Sequence, residues 1–299
     1  MTTDVFATTL KQKIAARWPE RAESIRAGLE DTASPEKTIL LLGRLDDLLA
    51  PPQRRWLFFR PRPQEDMRQI KNARHIIVPH RALANRLREH LSDLNAQIHV
   101  VGHGPVTDIA PQPANTRKIT REVYTKGRPY FVAHAGGRQD ENTLPLVRGF
   151  QRFRKLQNED VCLLLLGSRA GQSRTLRRLT SGGDIFFSRP EAPREYARIL
   201  GSSRALLNLS DHPAFPLDIL DAWHAEVPVV SHQQDILGGA GALVPSVSAE
   251  RIAEALQQLV HTPFFASGLV ENGRARREAF RWAPVLERVG ELFGRLPGA

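Results

Sequence analysis

Apolar residues of the opening segment, Asp4 to Leu29, fall on helical spacing. Phe6, Leu10, Ile14, Trp18, Ile25 and Leu29 recur at steps of four residues, with one step of seven (three plus four), and charges between them. The period then shortens. Lys37 to Gly43 is a compact apolar run that predicts a buried strand, and Arg55 to Phe59 predicts a second, stopped by Pro61 and Pro63. A helix over Gln64 to Asn72 precedes a third strand, Arg74 to Pro79. An amphipathic helix over Ala82 to Leu91 precedes a fourth, Gln97 to Val101, which ends in Gly102-His103-Gly104-Pro105. Strands alternating with helices predict a parallel sheet with crossover helices. From Pro105 to Arg128 no period is sustained and prolines recur, so this stretch reads as a linker carrying a short helix.

The alternation restarts more cleanly afterwards. Strands are expected at Pro129 to His134, Val161 to Leu166, Asp184 to Phe187, Ala205 to Leu209, Val227 to Ser231 and Ala242 to Pro245. Helices are expected at Thr143 to Leu156, Glu191 to Leu200, Leu217 to His224, Ala249 to Val260 and Val285 to Phe293. The unbroken Val-Cys-Leu-Leu-Leu-Leu run of Val161 to Leu166 marks a central strand buried on both faces. The expected organisation is a shortened domain over 1–110, a linker over 111–128, a second domain over 129–278 and a C-terminal helix over 279–299.

Composition narrows the class. With 41% hydrophobic and 25% charged residues, the chain of 299 residues is globular, not disordered. A single cysteine, Cys162, excludes an internal disulfide and cysteine clusters for zinc or iron–sulfur binding, and it reads as a packed hydrophobe. No apolar run approaches the roughly 20 residues that span a bilayer, and Met1 to Thr9 lacks the pattern of a signal peptide. The expectation is a cytoplasmic protein. The net charge of +10 is uneven: residues 1–127 hold 21 Lys and Arg against 14 Asp and Glu, and residues 128–299 hold 21 against 18. The basic first part could draw the protein to the anionic inner face of a membrane, or be merely an Arg-rich surface. Arg54 to Arg62 interleaves aromatics with cations, as an interfacial segment or as a strand flanked by solvated arginines. Nucleic acid is not expected, since no recognition helix, zinc pattern or stacking-sheet motif is present.

Ligands of open α/β sheets bind beyond the carboxyl ends of the strands, so the residues there carry the candidate chemistry. Gly136-Gly137-Arg138 follows the first strand of the second half. Its glycines let backbone approach an anion and Arg138 can fork onto a phosphate, or the three make a plain turn. Arg189 follows the third strand as a second phosphate contact or a solvated side chain. The loop from Ser210 to Pro216 contains Phe215 and leads into a helix bearing Asp218 and Asp221 on one face. One of these carboxylates could hold a ribose diol; otherwise Asp218 caps the helix and Asp221 lies on the surface. Beyond the next strand lie Asp235 and the glycines Gly238 and Gly239. His103, at a strand end in the first half, is a candidate polar contact at the expected cleft.

The collinear series Phe131–Arg138, Leu163–Gly167, Ile185–Phe187, Ala205–Ser210, Phe215–Val230, Gly238–Pro245 and Phe280–Trp282 resembles the donor-binding domain of GT-B-fold glycosyltransferases, in particular the retaining family 4. The first half looks like a shortened acceptor domain, with Asn72–Pro79 and Ile98–Gly104 similar to the last strands before that family's linker. The resemblance implies an α/β, GT-B-like fold of two Rossmann-like parallel-sheet domains facing a cleft. It implies sugar transfer from a nucleotide sugar (UDP- or GDP-linked) to a glycan or lipid-linked acceptor, in bacterial polysaccharide synthesis, with retention, no metal and no further cofactor. It also implies donor contacts at Gly136, Gly137, Arg138, Phe215, Asp221, Asp235, Gly238 and Gly239. Two family positions have changed: the diphosphate Lys falls on Glu141 and the first of two glutamates on Pro213, while Asp221 keeps the second as a carboxylate. Arg189 or Lys126 could replace the lost cation. No catalytic residue is identified, and an inactive descendant serving as a binding or scaffold protein is the alternative.

Overall fold

The computed structural model describes residues 5–17, 39–41, 74–91, 93–105, 109–134, 142–157, 159–167, 178, 182–209, 217–262 and 264–295. The strand expected at Arg55 to Phe59 and the helix expected at Gln64 to Asn72 lie outside them. The chain divides into two compact units, the first holding the described residues up to 105 together with 280–295, the second holding 109–209 and 217–279.

The first unit has a three-stranded parallel sheet in the order β1-β2-β3, from β1 (Ile39–Leu41), β2 (His75–Val78) and β3 (Gln97–Val100). Alternation along β2 sends its side chains to two faces. Ile76 and Val78 pack with Leu83, Ala84, Leu87 and Leu91, which come from or directly follow helix α2 (Arg81–His90). Ile77 points the other way, into a cluster with Val101, with Leu10 and Ile14 of α1 (Val5–Arg17), and with Val285 and Val289 of the C-terminal helix (Trp282–Arg295). The sheet is therefore covered on both faces, as parallel sheets generally are.

The second unit opens with α3 (Ala114–Thr125), then β4 (Tyr130–His134), α4 (Thr143–Gln157), β5 (Cys162–Leu166) and β6 (Ile185–Ser188). It continues through α5 (Pro193–Gly201), β7 (Leu206–Asn208), α6 (Leu217–His224), β8 (Val229–Ser231), α7 (Gln234–Leu237) and β9 (Ala242–Leu243). Helices α8 (Ala249–His261) and α9 (Phe265–Arg277) complete it, and the C-terminal helix is α10. Its six strands are all parallel, in the order β6-β5-β4-β7-β8-β9. Counted from the first strand of the unit this is 3-2-1-4-5-6, the doubly wound order, and it reverses direction between β4 and β7.

All five residues of β5 are buried, as the unbroken apolar run predicts. Cys162 is among them, and burial pushes its thiol up to about 11, so it is a packed side chain with no nucleophilic role. On one face Phe131 meets the edges of Phe150 and Phe153, with ring centroids 6.5 and 6.0 Å away. Each such phenyl contributes roughly 2–3 kcal/mol by leaving water. Helices α4 and α8 pack closely because Gly149 has no side chain: a Cβ there would lie 2.6 Å from that of Ile252.

Candidate functional site

A doubly wound sheet places its crevice where the strand order reverses, beyond the carboxyl ends of the flanking strands. Here those strands are β4 and β7, paired at Val132 with Leu206 and at Ala133 with Leu207. The next residues along them are His134, exposed at the end of β4, and Asn208, buried with its Oδ1 unpartnered among the described residues.

Helix α6 follows β7 and brings the acidic residues. Ile219, Leu220, Ala222 and Trp223 are all buried, packed against β7 and α9, so the helix is apolar around most of its circumference. Asp221 sits within that run and is carried inside with it, at 6% exposure. Its carboxyl has no hydrogen-bond partner among the described residues. Burial, reinforced by the neighbouring Asp218 charge, pushes it up to about 8. At neutral pH Asp221 is therefore mostly a protonated carboxyl, able both to donate and to accept. Asp218 lies in the first turn of α6, where the helix dipole favours a negative charge, and its Oδ2 is 3.5 Å from Nε2 of His134.

Tyr196, on α5, completes the group. Its ring lies against that of His134, with centroids 5.6 Å apart. Its hydroxyl is buried and unpartnered among the described residues. Burial, and then the charges of Asp218 and Asp221, hold that hydroxyl protonated well above the usual phenol range. Buried polar atoms normally find a partner, and at this end of the sheet Tyr196 Oη, Asn208 Oδ1 and Asp221 all lack one among the described residues. Such a set suits a ligand that brings several hydroxyl or amide groups.

Residues 128–262 match the family profile described as glycosyl transferases group 1. This segment is a glycosyl transferases group 1 domain. The family is the retaining, GT-B family 4, whose members transfer sugars from nucleotide-sugar donors. Sucrose-phosphate synthase from Thermosynechococcus elongatus is similar with a TM-score of 0.63 at 20% identity, over 86% of this chain and 67% of that one. WaaG, a glycosyltransferase involved in lipopolysaccharide biosynthesis, is similar with a TM-score of 0.65 at 12% identity, over 94% and 83%. Anabaena HepE, solved with UDP and glucose, is similar with a TM-score of 0.67 at 13% identity, over 87% and 72%. These likenesses show a GT-B-like fold. No curated protein sequence matches the chain.

Of the donor contacts expected for a group 1 domain, Gly136, Gly137, Arg138 and Phe215 lie outside the described residues, as do the replaced positions Glu141 and Pro213. Asp221 is described and is buried among polar groups, not on the surface. Asp235, Gly238 and Gly239 form a second group around α7. Gly238 and Gly239 take left-handed φ values of 51° and 87°, which explains two glycines in a row. Helix α9 holds this turn: Arg276 donates towards the carbonyls of Ile236 and Asp235, and Asn272 donates to the carbonyl of Gly239 at 3.1 Å. Arg189 follows β6, exposed, with no ion pair among the described residues. His103 belongs to the first unit, is 2% exposed, bonds the Gly104 carbonyl and packs on Trp282 at 5.3 Å. Trp282 in turn donates to the Pro105 carbonyl at 2.7 Å.

Sequence reasoning did not assign His134 or Tyr196 to the site. His134 was recognisable as the last residue of the first strand of this domain. Tyr196 precedes Ile199 and Leu200 by three and four residues on the buried face of α5, and that spacing was its signal. Among the described residues no cluster of three or more metal-ligating side chains occurs, and no helix is long and apolar enough to cross a membrane.

Proposed function

We propose that the second unit binds a nucleotide sugar and that the chain transfers its sugar, with retention, to a glycan or lipid-linked acceptor. The observation that carries this reading is the buried Asp221 carboxyl, without a hydrogen-bond partner among the described residues, at the switch point of a group 1 domain. A nucleoside diphosphate offers a ribose diol to Asp221 and a base edge or further hydroxyl to Tyr196 and Asn208. Arg138 takes the diphosphate, with Gly136 and Gly137 allowing the backbone close to it, and Phe215, Asp235, Gly238 and Gly239 line the remaining donor contacts. Arg138 then stabilises the charge that grows on the leaving diphosphate as the sugar departs, and rigid placement of the donor supplies much of the rate. The basic residues of the first unit suit a peripheral contact with an anionic membrane carrying the acceptor. UDP is the first donor base to try, since the similar Anabaena protein holds UDP and glucose.

A second reading rests on Glu141 and Pro213, which stand where the resemblance places a diphosphate lysine and a donor-sugar glutamate. In that reading the chain binds a nucleotide without turnover, as a scaffold. Calorimetric titration with UDP, GDP and their sugar conjugates tests both. Saturable binding lost in Asp221→Ala and in Arg138→Ala is expected, with product formed from donor and acceptor. Binding without product selects the scaffold. A folded protein that binds no nucleotide overturns the donor site altogether.

A further inference from the structure

The opposite end of the same sheet carries a second polar feature, independent of the donor site. A hollow of about 410 Å³ opens where the chain enters β4, β7 and β8, and its wall includes Arg117, Lys118, Arg121, Gly127, Ser203 and Glu226. Three of these are cations on one face of α3. Arg117 and Arg121 are four residues apart, the spacing at which like charges on a helix repel, with Lys118 beside them. None of the three has an acidic partner among the described residues. Arg117 and Lys118 are exposed, whereas Arg121 turns inward and its Nε is buried without a hydrogen-bond partner.

The nearby carboxylates, Glu226 and Glu122, make no ion pair with these three cations among the described residues. Glu226 is held by Arg274 through two hydrogen bonds of 2.9 and 2.6 Å, with Arg277 at 4.0 Å, and these arginines keep it below the usual carboxylate range. Glu122 lies at the margin, against Gly127, about 3 Å from where a Cβ there would stand. The Ser203 hydroxyl donates to the Leu200 carbonyl at 2.7 Å, leaving its oxygen free to accept but not to donate into the hollow. The remaining unmatched capacity is positive charge and guanidinium donors. Arginine forks match phosphate oxygens in geometry, and a partly enclosed site screens the attraction less than open water does.

We propose that this hollow binds a small, soluble phosphate-bearing anion, by Arg117 and Arg121 with Lys118 in support. A concave site with an inward guanidinium suits a free phosphate ester or pyrophosphate better than a flat lipid surface. The test is calorimetric titration of the full chain with sodium pyrophosphate at 150 mM NaCl, repeated on Arg138→Ala to remove the donor-site diphosphate contact. Saturable binding is expected to survive in Arg138→Ala and to weaken at least tenfold when Arg117→Gln or Arg121→Gln is added. Backbone amide signals of Gly127 and Ser203 should shift on titration. Arg117 is exposed, so its variant remains informative should Arg121→Gln fail to fold. Binding abolished by Arg138→Ala alone, binding untouched by either glutamine variant, or binding seen only with phosphatidylglycerol vesicles would each overturn the proposal.

Discussion

Two carboxylates at opposite ends of one sheet, Asp184 and Asp221, are moved in opposite directions. Asp184 precedes β6 at the amino end. Burial alone would raise it, but Arg128 at 2.8 Å and Arg154 at 3.2 Å outweigh burial and hold it below the usual range. Asp221 at the carboxyl end has burial and a like charge and, among the described residues, no cation partner, and it rises to about 8. The difference separates a carboxylate that the fold's own cations balance from one that they do not. Asp184 is completed by the protein, together with Asp160, which accepts from Arg128 at 2.7 Å. Asp221 has no such partner among the described residues, and that is why the donor contact is proposed there.

The largest expected effect comes from removing the ionisable group at the incomplete end. A carboxyl whose folded pKa lies above its unfolded value contributes fully below the unfolded pKa, near 4, and loses that contribution as pH climbs through the folded one, about 8. Asp221→Asn keeps the shape without the titration. Urea unfolding should show the variant gaining stability over the parent on the order of a few kcal/mol at pH 9 and little at pH 4. Equal differences at the two pH values would mean that Asp221 is solvated, and the contrast with Asp184 would vanish.

A smaller effect of opposite sign is expected at the completed end. Asp184 has a depressed folded pKa, so its contribution is present above the unfolded value and is lost as pH falls through the folded one. Arg128→Gln removes the main cation but leaves Arg154. The loss should be about 1 kcal/mol at pH 7, modest because both ion-pair partners are partly solvated. It should shrink towards acid pH as Asp184 is protonated in parent and variant alike. A loss that stays constant from pH 7 to pH 2 would show that Arg128 acts by packing alone.

Much of this sheet was legible because its inner strands β4, β5, β7 and β8 bury both faces. Val161 to Leu166 could hardly be anything else, and the glycines after strand ends marked where loops turn outward. The acidic pair was legible too, since three-residue spacing puts Asp218 and Asp221 on one helix face. What escaped were elements without an apolar period. Helix α3 buries only Thr120 and Thr125, and α9 only Leu269 and Gly273, so the first could be read only as a short helix in a linker and the second gave no signal. The polar group around Asp221 escaped for another reason. His134 and Tyr196 reach it from separate strand–helix units, and only the parallel order β5-β4-β7 brings those units side by side. The basic face of α3 was likewise hidden in sequence among the arginines of a chain that has many.

The smallest effect separates a site from a packing defect. The Tyr196 hydroxyl is buried and has no partner among the described residues, and the ring lies tilted against that of His134. If it serves only the fold, Tyr196→Phe removes an unsatisfied polar atom and should leave stability unchanged or raise it by up to about 1 kcal/mol, with no other consequence. If it serves a ligand, the same small gain in the empty protein should accompany a weaker nucleotide affinity, by roughly five- to tenfold for one lost hydrogen bond. Thermal unfolding of the empty protein and titration with UDP, made on one preparation, read the two quantities separately. A stability loss would show instead that the hydroxyl has found a partner inside the protein. That result would move Tyr196 to the side of Asp184, among the groups the fold completes for itself, and leave Asp221 to face the crevice with His134, Asn208 and Asp218.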